Sequence, residues 1–314
     1  MTGPRHAPFA SLPPWLSATW ARLQQWREAP PAGVLMMSPG SSDATALARQ
    51  WAPLLLCESA SGADTACGTC RSCRELAAGT HPDYRELEPL PDKRDISIDQ
   101  IRAAADWSSR TARVRRRLLW VLDAERMNRN AANAFLKTLE EPPSGLVIVL
   151  TSRQPHRLPV TIRSRCQCLA LARPQPRAFA QWLQGQGMDP ARSQLAAAVS
   201  PGDTLRALTI DEQTEARYER WCRAWHAAVV QGETLDAAKL LDDDDFPDAI
   251  VWIQRQLVHL AANAGAAQKI GPAWDVTVRL RAMQGIALNR LLQAEELMMH
   301  LRVACRELPA PTPA

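Results

Sequence analysis

The chain has 314 residues, enough for two or three domains rather than one small core. Its formal net charge of +4 sets 37 basic against 33 acidic residues, a mild excess that names no nucleic-acid or acidic partner. Prolines and polar residues interrupt positions 1–20 where a secretory signal needs an apolar core, and no later run approaches the ~20 apolar residues of a membrane span, so a soluble cytoplasmic protein with no membrane partner is expected.

In chain order, short apolar or β-branched runs at 34–37, 83–87, 118–122, 146–151 and 167–171 read as strands, and helical stretches fill the gaps. That alternation predicts a parallel sheet covered by crossover helices. Ser97 and Gln100 have the spacing of a capping box and start a helix expected to run to Ser109. A second helix, from about Asn128 to Glu141, is stopped by Pro142 and Pro143, which remove backbone donors and push the preceding residue out of helical geometry. Beyond Arg173-Pro174-Gln175-Pro176 only helical patterns remain, which predicts an all-α remainder. Leu280, Met283, Ala287, Leu291, Ala294, Met298, Leu301 and Cys305 step by three or four and predict one long helix with a continuous apolar stripe, packed inside its own domain and compatible with an oligomeric collar. The acids at 242–245 are expected to cap a helix rather than hold a cation. The Pro-rich residues 309–314 read as a solvated tail.

Eight cysteines in a chain without a signal point to reduced thiols, and four of them, Cys57, Cys67, Cys70 and Cys73, crowd one short segment. The two-residue intervals among the last three let a tight loop wrap one tetrahedral ion, and four thiolates leave no open coordination position. A structural zinc is therefore expected, with an iron–sulfur cluster as the alternative. His81 could replace Cys57 as a ligand, but its neighbour Pro82 begins the run into the second strand, and Cys57 is preferred.

After the first strand, Ser38-Pro39-Gly40-Ser41-Ser42-Asp43-Ala44-Thr45 stands where a nucleotide-binding protein carries its phosphate loop. Such a loop needs a lysine on the β- and γ-phosphates and a hydroxyl on Mg²⁺, and Asp43 and Ala44 supply neither. The loop of Gly40, Ser42, Asp43 and Ala44 is thus degenerate, and no ATP is expected on it. At the end of the third strand Asp123 remains as a possible Mg²⁺ ligand, but Ala124 occupies the place of the acid that activates water, and Glu125 is expected to point to the other side. Thr151 and Ser152, which end the fourth strand, are expected to hydrogen-bond locally.

The run Asn133-Ala134-Phe135-Leu136-Lys137-Thr138-Leu139-Glu140-Glu141-Pro142-Pro143, followed by Arg163-Ser164-Arg165-Cys166, resembles the clamp-loader branch of AAA+ proteins. With the cysteine loop, Gly79-Thr80-His81-Pro82-Asp83-Tyr84 and the degenerate phosphate loop, it looks like a non-hydrolysing subunit of the bacterial DNA polymerase III loader rather than an ATP-hydrolysing gamma or tau subunit. The resemblance is strong over residues 36–171. Further on it rests on helical character and on Pro201-Gly202-Asp203-Thr204-Leu205-Arg206-Ala207-Leu208, which looks like the sensor element of the lid domain with Leu205 where active relatives carry arginine.

This resemblance implies a RecA-like AAA+ domain over 1–172 with an inserted zinc loop at 57–73, a small helical lid over 173–209 and a helical collar over 210–314. It further implies that Arg165, with Ser164 and Cys166 completing its motif, acts as an arginine finger on ATP held by a neighbouring gamma or tau subunit. The implied partners are gamma or tau, the delta subunit and, through the assembly, the sliding clamp and primed DNA. Arg163 is expected to support the same interface. The basic run Arg113, Arg115, Arg116 and Arg117 could touch DNA, but a loop entering a strand is usually solvated and the run lacks interleaved aromatics, which weighs against direct contact without closing the question. Two rival readings are an active gamma-like ATPase and a zinc-dependent nucleic-acid-binding module.

Overall fold

The computed structural model describes residues 12–59, 65–113, 115–200, 202–241, 246–264, 267–283 and 289–306. The acidic run at 242–245 and the terminal segment 309–314 lie outside the described residues. The chain divides into two compact units, Met1–Trp182 with Gly202–Arg206, and Leu183–Pro201 with Ala207–Ala314.

The first unit is built around five parallel strands. In chain order it runs α1 (Ser17–Gln25), β1 (Gly33–Met37), α2 (Asp43–Leu56), α3 (Arg71–Ala77), β2 (Tyr84–Leu87), α4 (Ile98–Ser108), β3 (Arg117–Val121), α5 (Arg129–Glu140), β4 (Leu146–Ser152), α6 (Val160–Arg163), β5 (Gln167–Ala170) and α7 (Pro176–Gly185), whose last turn passes into the second unit. The sheet order is β2-β3-β4-β1-β5. Side chains alternate across it because successive Cβ atoms point to opposite faces. Val34, Met36, Leu118, Trp120, Val147 and Val149 pack with α1 and α2, whereas Leu35, Leu119, Val121, Ile148 and Leu150 pack with α4 and α5. Both faces are covered, so the central strands read as continuous apolar runs.

Local chemistry sets the boundaries. Ser97 and Gln100 form the reciprocal capping box at the start of α4. Asn128 accepts from the Ala131 N–H and starts α5. The predicted strands appear with ends shifted by one residue.

The second unit is helical, with α8 (Pro190–Val199), α10 (Glu212–His226), α11 (Thr234–Lys239), α12 (Phe246–Ala264), α13 (Ala267–Ala282) and α14 (Arg290–Cys305), while α9 (Thr204–Leu208) crosses the division. The single long helix expected through 280–305 is instead two. Asn289 accepts from the N–H groups of Leu291 and Leu292 at 3.0 and 3.4 Å, and this side-chain cap starts a separate helix. Ala287 of the expected stripe lies outside the described residues. Ala294, Met298, Leu301 and Cys305 are buried as the stripe requires. Tryptophans help to pack this unit: Trp221 and Trp225 both meet Trp252, at 6.1 and 6.0 Å between ring centroids.

Candidate functional site

Four places in the first unit hold the residues singled out from the sequence: the cysteine loop, the phosphate-loop region, the basic run and the Arg165 turn. The cysteine loop joins α2 to β2. Cys57 follows α2, Cys70 caps α3 with its sulfur, and Cys73 lies in the first turn of α3. The four Sγ atoms lie within 4.8 Å of one another. Two of the pairs, Cys57 with Cys70 and Cys67 with Cys73, are 3.9 Å apart. A tetrahedral ion with metal–sulfur bonds of about 2.3 Å requires sulfurs about 3.8 Å apart, so the donor set fits one such ion.

Backbone N–H groups of the loop donate to three of the four sulfurs. Cys67 N donates to Cys57 Sγ at 3.4 Å, Cys70 N to Cys67 Sγ at 3.3 Å and Cys73 N to Cys70 Sγ at 3.4 Å. The Cys70 and Thr69 N–H groups, then the Thr69 hydroxyl, pull the Cys67 thiol down to about 5. His81 does not join the four. Its Nδ1 accepts from the Asp83 N–H at 3.1 Å, which leaves Nε2 to donate to Ser72 Oγ at 3.1 Å. Ser72 Oγ in turn donates to the exposed Glu58 at 2.6 Å, so a relay through the buried His81 and Ser72 ties α3 to both sides of the cysteine loop.

The phosphate-loop region follows the C-terminal end of β1. Several of its hydrogen-bonding groups are occupied by the chain itself. Ser41 Oγ accepts from Asp43 N and Ser38 Oγ from Ala44 N, both at 3.1 Å, and Gly40 N donates to Arg153 O at 2.9 Å. Asp43 is 2 % exposed, and burial pushes its carboxyl above the usual carboxylate range. Beside the loop, Asp123 takes a left-handed φ of 44° at the end of β3, and its carboxylate accepts from Arg153 Nε at 3.0 Å within an ion pair. Glu125 accepts from the backbone N–H groups of Arg153 and Gln154 at 3.1 and 3.2 Å. Thr151 accepts from Trp120 Nε1 at 3.3 Å, across the neighbouring strand rather than from the local group expected, and the buried Ser152 hydroxyl has no partner among the described residues. Leu205 packs against the apolar layer that holds α1 and α2.

The basic run differs from a solvated loop. Arg116 and Arg117 are buried. Arg116 donates to the Arg27 and Glu28 carbonyls at 2.6 and 3.2 Å. Arg117 donates to the Thr111 carbonyl at 2.8 Å, pairs with Asp83 and lies over the Trp107 ring. Arg113 pairs with Glu75 and Arg115 with Glu28.

Arg165 lies in a tight turn after α6, where its N–H donates to Ile162 O at 3.1 Å and the Ser164 hydroxyl to Thr161 O at 3.1 Å. Cys166 packs its sulfur against the start of β1, and burial pushes its thiol up to about 12. A Cβ at Gly33 would stand 3.3 Å from Arg165 O, so that close approach favours glycine. The exposed guanidinium donates to Thr161 O at 3.0 Å and pairs with Glu140 at 2.5 Å. Sequence reasoning missed Arg153 and Trp15 around the phosphate loop, and it named Glu140 and Thr204 within motifs without their contacts to Arg165 and Asp43. Glu140 carried the available signal, since it lies in the same motif that led to Arg165.

Position in the sheet separates Arg165 from the phosphate loop. Arg165 precedes β5, whose Gln167 pairs with Val34 at the start of β1, while the loop follows Met37 at the other end of that strand. All five strands are parallel, so the two features lie at opposite edges of the sheet, about 15 Å apart along a five-residue strand.

Comparison with known proteins agrees with this architecture. The family described as DNA polymerase III, delta subunit, matches residues 19–175. The DNA polymerase III subunit delta' of Pseudomonas aeruginosa is 34% identical, over 96% of this chain and 100% of the relative. That of Escherichia coli K12 is also 34% identical, over 81% of this chain and 78% of the relative. A gamma subunit-related protein of DNA polymerase III from Thermotoga maritima, known from its crystal structure, shares the fold at a TM-score of 0.50 and 20% identity, over 90% of this chain and 98% of that one. No helix among the described residues is long and apolar enough to cross a membrane. The chain belongs to the delta-prime subunits of DNA polymerase III, in the clamp-loader branch of the AAA+ fold.

Proposed function

We propose that the chain is a non-hydrolysing subunit of a cytoplasmic DNA polymerase III clamp loader, and that it supplies Arg165 in trans to ATP bound by a neighbouring gamma or tau subunit. One observation carries the reading: Arg165 stands at the opposite sheet edge from the chain's own phosphate loop. A finger so far from its own loop serves a site on another chain. There its fixed charge would stabilise the negative charge that develops on the transferred phosphoryl group. Ser164 and Cys166 hold the turn, and Glu140 keeps the guanidinium at the surface.

Hydrolysis in cis is disfavoured by three features. Asp43 replaces the phosphate-binding lysine, Asp123 is paired with Arg153 rather than free for Mg²⁺, and Glu125 is engaged by backbone N–H groups. The cysteine cluster is read as a closed structural zinc site. The sulfur spacing suits one ion rather than a multi-iron cluster, and bound zinc would hold the segment between α2 and β2.

In this reading residues 1–172 form the AAA+ domain, 173–209 a lid and 210–314 a collar. The collar reading is supported by α14, which buries one face and exposes Leu292, Met299 and Val303 at spacings of seven and four on another. The partners are then gamma or tau, delta and, through the assembly, the sliding clamp and primed DNA. The pairing of Arg113, Arg115, Arg116 and Arg117 within the chain weighs against a stand-alone nucleic-acid module.

Calorimetric titration of the isolated chain with Mg·ATP tests the absence of a working site. No saturable binding is expected at about 1 mM ATP, because loss of one charge-assisted contact removes roughly 1.5–3 kcal/mol even before Asp43 is considered. Saturable binding in the micromolar range would return the chain to the active ATPases.

A further inference from the structure

Asp43 opens α2, a helix of 14 residues, and its carboxylate stands at the positive end of that helix dipole, where a phosphate loop holds phosphate. It is nevertheless not free. Thr204 N donates to Oδ1 at 2.9 Å, the Thr204 hydroxyl to Oδ2 at 3.0 Å and Trp15 Nε1 to Oδ2 at 3.4 Å. Thr204 is itself fully buried. A second strut joins the same two segments, from the Ser42 hydroxyl to Asp203. Trp15 is fixed in turn between Phe179 and Trp182, at centroid distances of 5.5 and 5.4 Å. Gly202, at φ +72°, turns the chain into this contact close against Pro174.

We propose that Asp43 is a built-in substitute for nucleotide phosphate: its carboxylate latches Gly202–Arg206 onto the phosphate-loop helix, and the latch is closed without any nucleotide. The inference rests on the reading that this loop takes no ATP, and it adds a purpose for the replacement. A bound nucleotide offers an anion that both the loop and a sensor segment can grip, so closure depends on occupancy. Here the anion is covalently part of the loop. The sensor-like segment is therefore held in one state whatever the nucleotide concentration, as suits a fixed member of an assembly whose other members cycle with ATP.

Hydrogen exchange of the full-length chain, with and without Mg·ATP, tests this. The latch predicts that the backbone amides of Thr204, Leu205 and Arg206 are equally protected in both conditions. Asp43→Ala is expected to speed their exchange by on the order of tenfold or more, because Thr204 loses a charge-assisted acceptor, while β3 and β4 keep their protection. Thr204→Val serves as the second variant if Asp43→Ala fails to fold. It removes only the hydroxyl and is expected to speed exchange at this segment about threefold or more, with Thr204→Ser restoring protection. Protection that rises with Mg·ATP in the wild type would overturn the latch, as would unchanged exchange in both variants with the strands intact. ATP binding in the parallel titration would sink the underlying reading. Unchanged exchange without ATP binding would sink the latch alone.

Discussion

One aspartate shows how a side chain suited to phosphate chemistry can persist in other work. Asp123 keeps the identity of a Mg²⁺ ligand, but its carboxylate is held by Arg153. If that ion pair is its whole role, Asp123→Asn leaves ATP turnover of a reconstituted loader within about twofold, since a half-exposed pair contributes little. A drop of a hundredfold in the same steady-state assay would mean that the aspartate serves a metal after all. At the residue scale the sequence was legible wherever chemistry is local. The cysteine intervals and the arginine turn each announce themselves within a few positions. Thr204 and Trp15 did not, because Thr204 meets Asp43 across 161 positions and Trp15 meets it across 28, and no periodicity reports such contacts.

Among the elements, the strands were readable because both sheet faces are buried, which forces continuous apolar runs between polar loops. The break between α13 and α14 was hidden by an apolar stripe that continues across it, while the Asn289 cap that interrupts it is a single residue. Three element-level outcomes are expected. Cys70→Ser should lower zinc affinity by on the order of 100-fold or more and open 57–73 to proteolysis, as read by metal analysis and limited digestion, with the sheet still folded. Gly232, at φ +82°, ends the helical turn after α10 and accepts from Arg302 at 2.9 Å. Gly232→Ala should cost about 1–2 kcal/mol of stability in thermal or urea unfolding, because an added Cβ is strained there and crowds that guanidinium. The α14 double variant Met299→Glu with Val303→Glu should leave monomer stability nearly unchanged, within about 0.5 kcal/mol, yet weaken assembly with gamma or tau in size-exclusion chromatography.

For the whole molecule, the sheet's polarity decides the account. A parallel sheet has two unlike edges: its C-terminal edge carries a phosphate loop filled by the chain's own groups, and its N-terminal edge carries Arg165. Family and fold were both legible before the structure, through motifs that are contiguous in sequence. The intramolecular use of the basic run was not, since a cluster of arginines looks the same whether it faces solvent or the carbonyls of residues 27 and 28. The most direct measurement is steady-state ATP hydrolysis by a loader reconstituted with wild-type chain or Arg165→Ala, with clamp and primed DNA, after both are shown to assemble equally. The account predicts that turnover at the adjoining ATP site and clamp loading fall by about tenfold or more; unchanged turnover and loading in the fully assembled variant would contradict it.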